Sequence, residues 1–270
     1  MKIEVLMAVY NKPEFTQLTL EGYARQTDSN FAIAIADDGS TDDTRALIQS
    51  FRNRLAIRHL WHEDLGFRKS LILNQTIASS EADYLVFTDN DCIPDPHFIA
   101  DHRQVAQPGY FVTGRRVDLG PKASEELLSH RVTTPDSRLW LIRHSLAGQA
   151  KRAEKALRPP AWLARLWSRK QIGTLGANMA FWHKDLMAIN GFDEDFQGYG
   201  MEEVDLEWRI LASGIKRKSI LGRAGLYHLY HTQREMTPEN RTKIEAKMAV
   251  GHWFAANGII KHAGPTETTL

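Results

Sequence analysis

Short apolar runs alternate with amphipathic segments through the first third of the chain. Four runs rich in β-branched or aromatic residues end at turn-forming or charged residues, which is typical of buried strands: Ile3–Val9, Phe31–Ala36, Ile57–Trp61 and Tyr84–Thr88. The segments between them predict three helices, Pro13–Gln26, Thr41–Arg54 and Phe67–Ser80. Strand and helix in alternation imply right-handed crossovers, so we predict an α/β fold with a mostly parallel sheet and helices on both faces.

Polar residues follow three of the predicted strands at the point where each strand ends. The three segments are Ala8-Val9-Tyr10-Asn11, Asp37-Asp38-Gly39-Ser40 and Asp89-Asn90-Asp91. In open parallel sheets, ligands bind beyond the carboxyl ends of the strands. We therefore expect the three segments to form one rim, which is the predicted site.

The alternation of strand and helix is lost from about residue 119 to residue 171. Ile172–Phe181 then resumes a strand-like run, while Met201–Ser213 and Thr237–His262 predict helices. We predict one catalytic domain over residues 1–235, with residues 119–171 as a variable insertion or lid, and a helical extension over residues 236–270. Long irregular stretches in compact domains are usually functional or mobile.

Composition and charge narrow the class of protein. The hydrophobic fraction of 43% is enough for a full core, and the net charge of +1 argues against nucleic-acid binding. The single cysteine, Cys92, excludes an internal disulfide framework and favours a reducing compartment. No apolar run approaches the ~20 residues that span a bilayer, and Met1 leads straight into a strand rather than a signal peptide. We therefore expect a cytoplasmic protein.

The acidic pair Asp89 and Asp91 offers two carboxylates, one residue apart, behind a buried strand. Hard divalent cations such as Mg²⁺ and Mn²⁺ take oxygen ligands, commonly one or two carboxylates together with substrate phosphates. The alternative is a solvated turn, since Asp-Asn-Asp is good turn chemistry. Zinc is disfavoured because Cys92 has no Cys or His partner at zinc spacing. The position in the rim favours a divalent metal that carries a nucleotide's pyrophosphate.

Four segments, in this order, resemble the signatures of family-two glycosyltransferases with the glycosyltransferase-A fold. Three belong to the rim: Val9-Tyr10-Asn11, residues 36–42 and residues 87–91. The fourth, GFDEDFQGYGMEEVDLEWR (191–209), resembles a segment of the galactosyltransferase and chondroitin-polymerase branches. The resemblance spans Lys2 to Gln233, with the middle unmatched. It implies a Rossmann-like domain that uses a UDP-sugar donor.

The resemblance also implies which residues bind the donor. Uridine would lie against Ala8, Tyr10, Asn11, Asp37 and Asp38, the phosphates near Arg68, Lys69, Asn74 and Asp89, and the sugar beside Gly176 and Asn178. Basic side chains at a helix start favour phosphate, which suits Arg68 and Lys69. A solvated helix end is the alternative for Arg68, and a turn with a helix cap is the alternative for the Asp37-Asp38 segment.

The predicted helix Met201–Ser213 begins with carboxylates that suit a catalytic base. An inverting transfer needs a base to take the proton of the acceptor hydroxyl as it attacks the anomeric carbon. The related galactosyltransferase segment has Glu-Asp where this chain has Glu202-Glu203, so either residue can serve. We favour Glu203 as the base and Glu202 as the residue that orients the acceptor. Tyr199, Gly200 and Asp205 complete the predicted acceptor site, although Asp205 also suits a role in supporting the helix.

The segment GLYHLYH (225–231) places two histidines after the acidic helix. The family commonly completes its metal site with a histidine here, which implies that His228, or else His231, joins Asp89 and Asp91. Purely structural histidines are the alternative. Imidazole suits Mn²⁺ better than Mg²⁺, so we favour Mn²⁺.

The stretch Lys151 to Lys170 carries seven Lys or Arg residues against one acid, Glu154. Its apolar members form one face: Trp162, Leu163, Leu166 and Trp167. A basic amphipathic helix with tryptophans can lie at a membrane interface. A lid that packs its tryptophans on the domain is an equally good interpretation.

Together these observations predict a metal-dependent inverting glycosyltransferase. It would move a hexose or N-acetylhexosamine from a UDP-sugar to a hydroxyl of a glycan or lipid-linked acceptor, as in bacterial surface polysaccharide synthesis. The alternatives are a sugar-phosphate nucleotidyltransferase and a non-catalytic subunit that binds nucleotide sugars.

Overall fold

A computed structural model describes residues 1–130, 134–135, 137–170, 172–232 and 234–261. The first elements are β1 (Ile3–Val9), α1 (Pro13–Ala24), β2 (Phe31–Asp37), α2 (Asp42–Ser50), β3 (Ile57–Trp61), α3 (Lys69–Ala78), β4 (Tyr84–Asp89), β5 (Cys92–Pro94), α4 (Phe98–Val105), β6 (Tyr110–Thr113) and β7 (Val117–Leu119). They are followed by α5 (Pro121–Leu128), α6 (Arg138–Leu146), β8 (Ala150–Lys151), a 3₁₀ helix (Ala153–Ala156), α7 (Ala161–Trp167), β9 (Met179–Trp182), α8 (His183–Ala188), α9 (Glu202–Ala212), β10 (Lys216–Ser219), β11 (Leu226–His228) and α10 (Pro238–Val250).

A seven-stranded sheet in the order β10-β6-β9-β4-β1-β2-β3 forms the centre of the fold. Strands β4, β1, β2 and β3 are parallel, as are β6 and β10, while β9 runs antiparallel between β4 and β6. The predicted α/β fold with a mostly parallel sheet is therefore confirmed. Strands β1 and β3 have the predicted bounds, and the first three helices are shorter than predicted, as expected for boundaries placed by pattern.

Alternate side chains of each central strand enter two different apolar layers. In β1, Val5 and Met7 pack into the layer that includes Leu20 of α1, whereas Leu6 packs into the layer that includes Ile72 of α3. Strand side chains alternate between faces, so a strand buried on both faces reads as one continuous apolar run. This explains why the central strands are visible in the sequence.

The second half departs from the predicted elements in three places. The strand predicted over Ile172–Phe181 is reduced to β9, because the chain before Met179 forms a loop. The helix predicted over Thr237–His262 ends at Val250, where Gly251 adopts a left-handed φ of 79° that favours glycine; His262 lies outside the described residues. The irregular stretch 119–171 contains the short helices α5, α6 and α7. The basic segment with its tryptophan face indicated α7, whereas α5 and α6 were not predicted individually.

A second, four-stranded sheet carries part of this insertion. Its order is β5-β11-β7-β8, so the strand after Asp91 pairs with the strand that ends at His228. Helix α10 packs back on the domain, where Asn240 donates to the carbonyl of Gly200 (2.9 Å). Whether residues 236–270 form a separate extension stays a prediction. No helix of the described residues is both long enough and apolar enough to cross a bilayer.

Candidate active site

The loops after β1, β2 and β4 form one hydrogen-bonded surface at the carboxyl edge of the main sheet. Ala8 lies opposite Asp89 in the pairing of β1 with β4. The N–H of Asn90 donates to the carbonyl of Ala8 (3.0 Å), and the N–H of Asp38 donates to the carbonyl of Val9 (2.9 Å). The three rim segments are thus adjacent in space, at the place where ligands bind in this class of sheet.

Asn11 connects all three loops of the rim. Its φ of 54° lies in the left-handed region, which Asn tolerates better than most residues. Its Oδ1 accepts from the N–H of Thr41 (3.0 Å), its N–H donates to Oγ of Ser40 (2.8 Å), and its carbonyl accepts from Nδ2 of Asn90 (3.1 Å). Asn11 therefore shapes the rim rather than presenting a free amide to a donor.

Asp37 and Asp38 are buried, and their carboxylates have protein partners. Asp37 accepts from the N–H of Ser40 (2.8 Å) and lies 2.8 Å from Nε2 of His59. Asp38 lies 2.7 Å from Nε2 of His62. A uracil N–H would have to share an oxygen with one of these partners. Both aspartates hold the rim, and their direct contact with uridine stays a prediction.

Tyr10 presents an exposed ring at the rim, and its hydroxyl donates to Oδ2 of Asp64 (2.9 Å). The guanidinium of Arg234 lies 5.4 Å from the centre of the Tyr10 ring and 5.2 Å from that of Phe67. Phe67 in turn meets Tyr199 edge-on at 6.2 Å. This group of rings connects the predicted uridine and acceptor regions. Arg234 was not predicted from the sequence, because it lies in a polar stretch without hydrophobic periodicity.

Asp91 and both candidate histidines converge beside the rim. Nε2 of His231 lies 3.0 Å and Nε2 of His228 lies 3.4 Å from Oδ2 of Asp91, and the two ring nitrogens are 3.1 Å apart. One ligand atom from each residue lies within 4.8 Å of the others. The two histidines that the sequence left as alternatives therefore meet the same carboxylate.

The charges of this group favour an ionised Asp91. Burial alone would raise the pKa of its carboxyl, but hydrogen bonds from His228 and His231 outweigh burial and hold that pKa well below its usual range. The bond to Asp91 also raises the pKa of His231. One carboxylate and two imidazoles, with three possible ligand atoms within 4.8 Å of one another, have a composition that fits a divalent metal such as Mn²⁺.

Asp89 points to a different partner from Asp91. The ammonium of Lys69, at the start of α3, lies 3.0 Å from Oδ1 of Asp89 and 3.3 Å from Oε1 of Glu203. Burial would lower the pKa of Lys69, yet the two carboxylates outweigh it and raise that pKa well above its usual value. Lys69 is therefore a fixed positive charge between the rim and the acidic helix α9.

The two glutamates at the start of α9 have different environments. Glu202 is 3% exposed, and within the described residues its Oε2 has no hydrogen-bond partner. Burial, and then the negative charge of Glu203, raise the pKa of Glu202 to about 7, against the opposing charge of Lys69. Glu203 is partly exposed beside Lys69. Of the two, Glu203 is the carboxylate that a ligand in the site can reach.

The loop before β9 gives room to Glu203. A Cβ built on Gly176 would lie 2.2 Å from Oε1 of Glu203, so a larger residue there would force the Glu203 side chain to move. Glu207, one turn further along α9, accepts hydrogen bonds from the N–H and the hydroxyl (2.6 Å) of Thr174. Gly176 was predicted to approach the sugar, and the structure places it against the candidate base instead.

Four predicted site residues have hydrogen-bond partners within the protein, and their contact with a donor or acceptor stays a prediction. The amide of Asn74 bonds the backbone of Phe192, and that of Asn178 donates to the carbonyls of Arg115 and Ala224. The Arg68 side chain donates to the carbonyl of Glu63, and Asp205 is fully buried with Arg209 (2.7 Å). These four residues support the fold around the site. These contacts fit the alternative given for Arg68, a residue at a helix end. They also fit the alternative given for Asp205, a residue that supports the helix.

Gly200 and Tyr199 lie under the segment that leads into α10. Gly200 has a φ of 103°, and a Cβ there would lie 2.7 Å from Cγ of Met236. The carbonyl of Tyr199 accepts from the N–H of Thr237 (2.9 Å), while its ring remains 44% exposed. Of this predicted acceptor pair, the Tyr199 ring is the part available to a ligand.

Two sequence families match the chain, one after the other. Residues 4–162 match the family described as glycosyl transferase family 2, which is more than half of the chain. The chain belongs to glycosyltransferase family 2. Residues 161–232 of this family 2 chain match the N-terminal domain of galactosyltransferase. Both matches confirm the resemblance that the four sequence segments indicated.

Curated relatives of this family 2 chain are longer proteins. It is 30% identical over 226 residues to validoxylamine A glucosyltransferase of Streptomyces hygroscopicus subsp. jinggangensis, covering 79% of this chain and 52% of that protein. It is 22% identical over 242 residues to chondroitin synthase of Escherichia coli, covering 84% of this chain and 34% of that protein. The chain thus spans about half the length, or less, of these relatives.

Solved structures share the fold at low sequence identity. Residues 1–349 of S. aureus TarS, in complex with UDP, align with a TM-score of 0.61 and 16% identity, covering 93% of this chain and 65% of that one. The mannosyltransferase PcManGT from Pyrobaculum calidifontis, in complex with GDP-Man and Mn²⁺, aligns with a TM-score of 0.57 and 16% identity, covering 93% and 62%. The predicted glycosyltransferase-A fold is confirmed.

Proposed function

We propose that the protein is a metal-dependent inverting glycosyltransferase. It moves a hexose or N-acetylhexosamine from a UDP-sugar to a hydroxyl of a glycan acceptor. The observation that carries this proposal is the pair of charge groups at one edge of the sheet. Asp91 meets two histidines there, and Asp89 shares Lys69 with Glu203. The first group suits a cation, and the second suits proton transfer.

The donor lies along the rim in this proposal. Uridine contacts the backbone at Ala8 and the exposed ring of Tyr10, and aromatic rings offer the flat apolar surface that a base requires. Relatives of the same fold bind UDP or GDP-Man with Mn²⁺, which supports a nucleotide-sugar donor. Asp91, His228 and His231, with Asp89 nearby, would hold Mn²⁺ in preference to Mg²⁺. A metal held there supplies positive charge to the diphosphate leaving group.

Glu203 is the proposed base. As the acceptor oxygen bonds to the anomeric carbon, the bond from that carbon to the UDP oxygen breaks, and Glu203 takes the proton of the acceptor hydroxyl. Lys69, 3.3 Å away, places a positive charge beside the carboxylate of Glu203. Glu202 is buried, so it would orient the acceptor only indirectly, through its charge beside Glu203 and Lys69, and the exposed Tyr199 ring packs against the acceptor sugar.

A panel of UDP-sugars tests this proposal. The full chain is incubated with each donor and a set of soluble glycan acceptors, with Mn²⁺, Mg²⁺ or a chelator, and released UDP is measured. We expect UDP release with at least one donor, loss with the chelator, and a product of inverted anomeric configuration by NMR. Release of pyrophosphate instead of UDP would indicate a nucleotidyltransferase, and donor binding without turnover would indicate a non-catalytic subunit.

The proposed class of acceptor also determines where in the cell the enzyme would act. We propose a cytoplasmic enzyme that extends a glycan of the bacterial surface polysaccharide type, with a lipid-linked acceptor. The basic segment 151–170 then contacts the inner face of the membrane. The exposed Trp162 and the basic groups around it, Arg165 and Arg169, support this contact.

A further inference from the structure

Helix α6 in the insertion is apolar on two opposite faces. Trp140, Leu141 and His144 are buried against the domain. On the other side, Leu139 is 81% exposed, Leu146 is 85% exposed, and Ile142 is also exposed. Positions 139, 142 and 146 fall on one stripe of a helix. Exposed single apolar residues are ordinary, but a stripe of three at helical spacing marks an interaction surface.

The exposed stripe of α6 is flanked by positive charge. Arg138 and Arg143 precede Leu139 and follow Ile142, so at 3.6 residues per turn they lie on opposite sides of the stripe. Both arginines are exposed, and Arg143 also pairs with Glu126 at 2.7 Å. An apolar stripe between cationic borders is the pattern of a helix that lies in a lipid interface.

Helix α7 also presents exposed apolar side chains next to basic ones. Trp162 is 70% exposed and Leu166 is exposed one turn later. Together with Arg165 and Arg169 they line an open depression of about 480 Å³. Tryptophan prefers the interfacial zone of a bilayer, and arginine there binds anionic headgroups.

The two helices belong to one connected part of the insertion. Ile142 and Leu146 of α6 line a groove with Arg152 and Leu157, which border the 3₁₀ helix. Lys155 of that helix lies 6.0 Å from the ring of Trp167 in α7. The 3₁₀ helix therefore lies beside α6 and contacts α7 through Lys155.

We propose that α6 and α7 together form a docking surface for an anionic lipid bilayer. We name this the α6–α7 surface, defined by Leu139, Ile142, Leu146, Trp162 and Leu166. Charge complementarity favours lipid as the occupant. Three basic groups of the segment 151–170 pair with acids, and the other four are exposed: Lys151, Arg165, Arg169 and Lys170. A second copy of this chain would bring two such basic surfaces together, which is unfavourable.

The α6–α7 surface is connected to the candidate metal site through Asp118 of β7. Arg152 pairs with Asp118 of β7 (2.7 Å), and the other Asp118 oxygen lies 3.9 Å from His228. Docking therefore brings the edge sheet that carries His228 towards the membrane. A lipid-linked acceptor is the substrate class that such an arrangement serves. This choice of acceptor rests on the proposed function, whereas lipid binding itself does not.

Vesicle flotation without any donor tests the surface. The full chain is mixed with vesicles of phosphatidylcholine alone or with added phosphatidylglycerol. We expect binding to the anionic vesicles that weakens at high salt. The double variant L139Q/L146Q should lower the partition coefficient by about tenfold or more. R165Q/R169Q should remove most of the preference for anionic vesicles, since each arginine contributes about fivefold.

The matched control is V250Q, which changes a residue that is 68% exposed at the end of α10. It should bind vesicles like the unaltered chain. Equal binding by L139Q/L146Q and the unaltered chain, or no binding to either vesicle, overturns the proposal. A dimer in light scattering that L139Q/L146Q dissociates also overturns it, in favour of a second copy.

All of these variants should unfold at the same temperature as the unaltered chain, because the replaced side chains are exposed. They should also keep their turnover on a soluble acceptor, so failure of the lipid surface and failure of the proposed function give different results.

Discussion

Asp89 and Asp91 lie one residue apart, yet they belong to two differently charged groups. Asp89 ends β4, level with Ala8, and meets the ammonium of Lys69. Asp91 precedes β5, whose pairing with β11 places it beside His228. Two carboxylates separated by one residue can therefore have different roles, one beside a lysine and one at a metal site. One carboxylate already has a permanent cation from the protein, and the other faces two imidazoles that suit a metal.

Among the variants that separate the Asp91 group from the Asp89 group, D91N should have the largest effect. Replacing the carboxylate removes the charged ligand that His228 and His231 share, so we expect Mn²⁺ affinity to fall sharply. UDP release should fall by about 10⁴-fold, because a metal at a leaving group contributes several kcal/mol. Mn²⁺ binding is measured by electron paramagnetic resonance and turnover by UDP release. D43N, at an exposed position of α2, is the control and should change neither. Unchanged Mn²⁺ binding in D91N would remove Asp91 from the metal site.

The Asp89 side of the turn is tested next by E203Q. The glutamine keeps the shape of the side chain but cannot take a proton, so kcat should fall by about 10³-fold. Mn²⁺ affinity should not change, because Glu203 belongs to the Lys69 group. The exposed Glu245 provides the control variant E245Q. A larger loss of kcat in E202Q than in E203Q would exchange the roles that we propose for the two glutamates.

Glu202 predicts a pH dependence of stability. Its pKa is raised from 4.5 to about 7, chiefly by burial, so the folded chain disfavours the ionised form. Stability is therefore lost as pH rises through this interval, and E202Q should abolish that loss. We expect E202Q to match the unaltered chain below pH 4.5 and to be more stable by about 3 kcal/mol above pH 7. Thermal unfolding across pH measures this. E81Q, at an exposed site, should show no such difference.

Lys69 connects the two acidic sides of the site, and K69M breaks that connection. Without the ammonium, Asp89 and Glu203 repel each other, and kcat should fall by about 10- to 100-fold. The charge of Lys69 opposes the raised pKa of Glu202, so K69M should raise that pKa further. The change is read from the pH-dependent unfolding described for E202Q. K69R should restore part of the activity, and K122M, at an exposed position, should resemble the unaltered chain. An unaltered pH profile in K69M would contradict the coupling.

The central strands could be predicted from the sequence because they are buried on both faces. Val5, Leu6 and Met7 alternate between two apolar layers, so β1 is one uninterrupted apolar run. Strand β9 was overextended because Gly173 to Ala177 has a similar small and apolar composition. Those residues form a loop that contacts Glu203 and Glu207 of α9. Contacts of that kind come from a distant part of the chain, and a local pattern does not contain them.

Part of the site could also be predicted from the sequence. The rule that ligands bind at the carboxyl ends of strands located the rim and its aspartates. It could also have identified His62, which lies just after the end of β3 and bonds Asp38, but not His59, which lies in the middle of β3 and bonds Asp37. The rule does not say which polar side chains face a ligand and which bond the protein. Asn178 had suitable chemistry, but the backbone carbonyls of Arg115 and Ala224, far away in the sequence, accept both of its amide hydrogens.

Asn74 lies outside both charge groups, and N74A is the variant with the smallest expected effect on turnover. Its amide donates to the carbonyl of Phe192 (2.9 Å) and accepts from the N–H of Phe192 (2.8 Å), inside the core. Alanine would leave both backbone groups without these partners, so the free energy of unfolding should fall by about 2–3 kcal/mol. The KM for the donor should not change, because no charge group includes Asn74. Chemical denaturation and donor titration measure the two quantities, with N53A as the exposed control. A raised KM at unaltered stability would instead return Asn74 to the phosphate site that the sequence suggested.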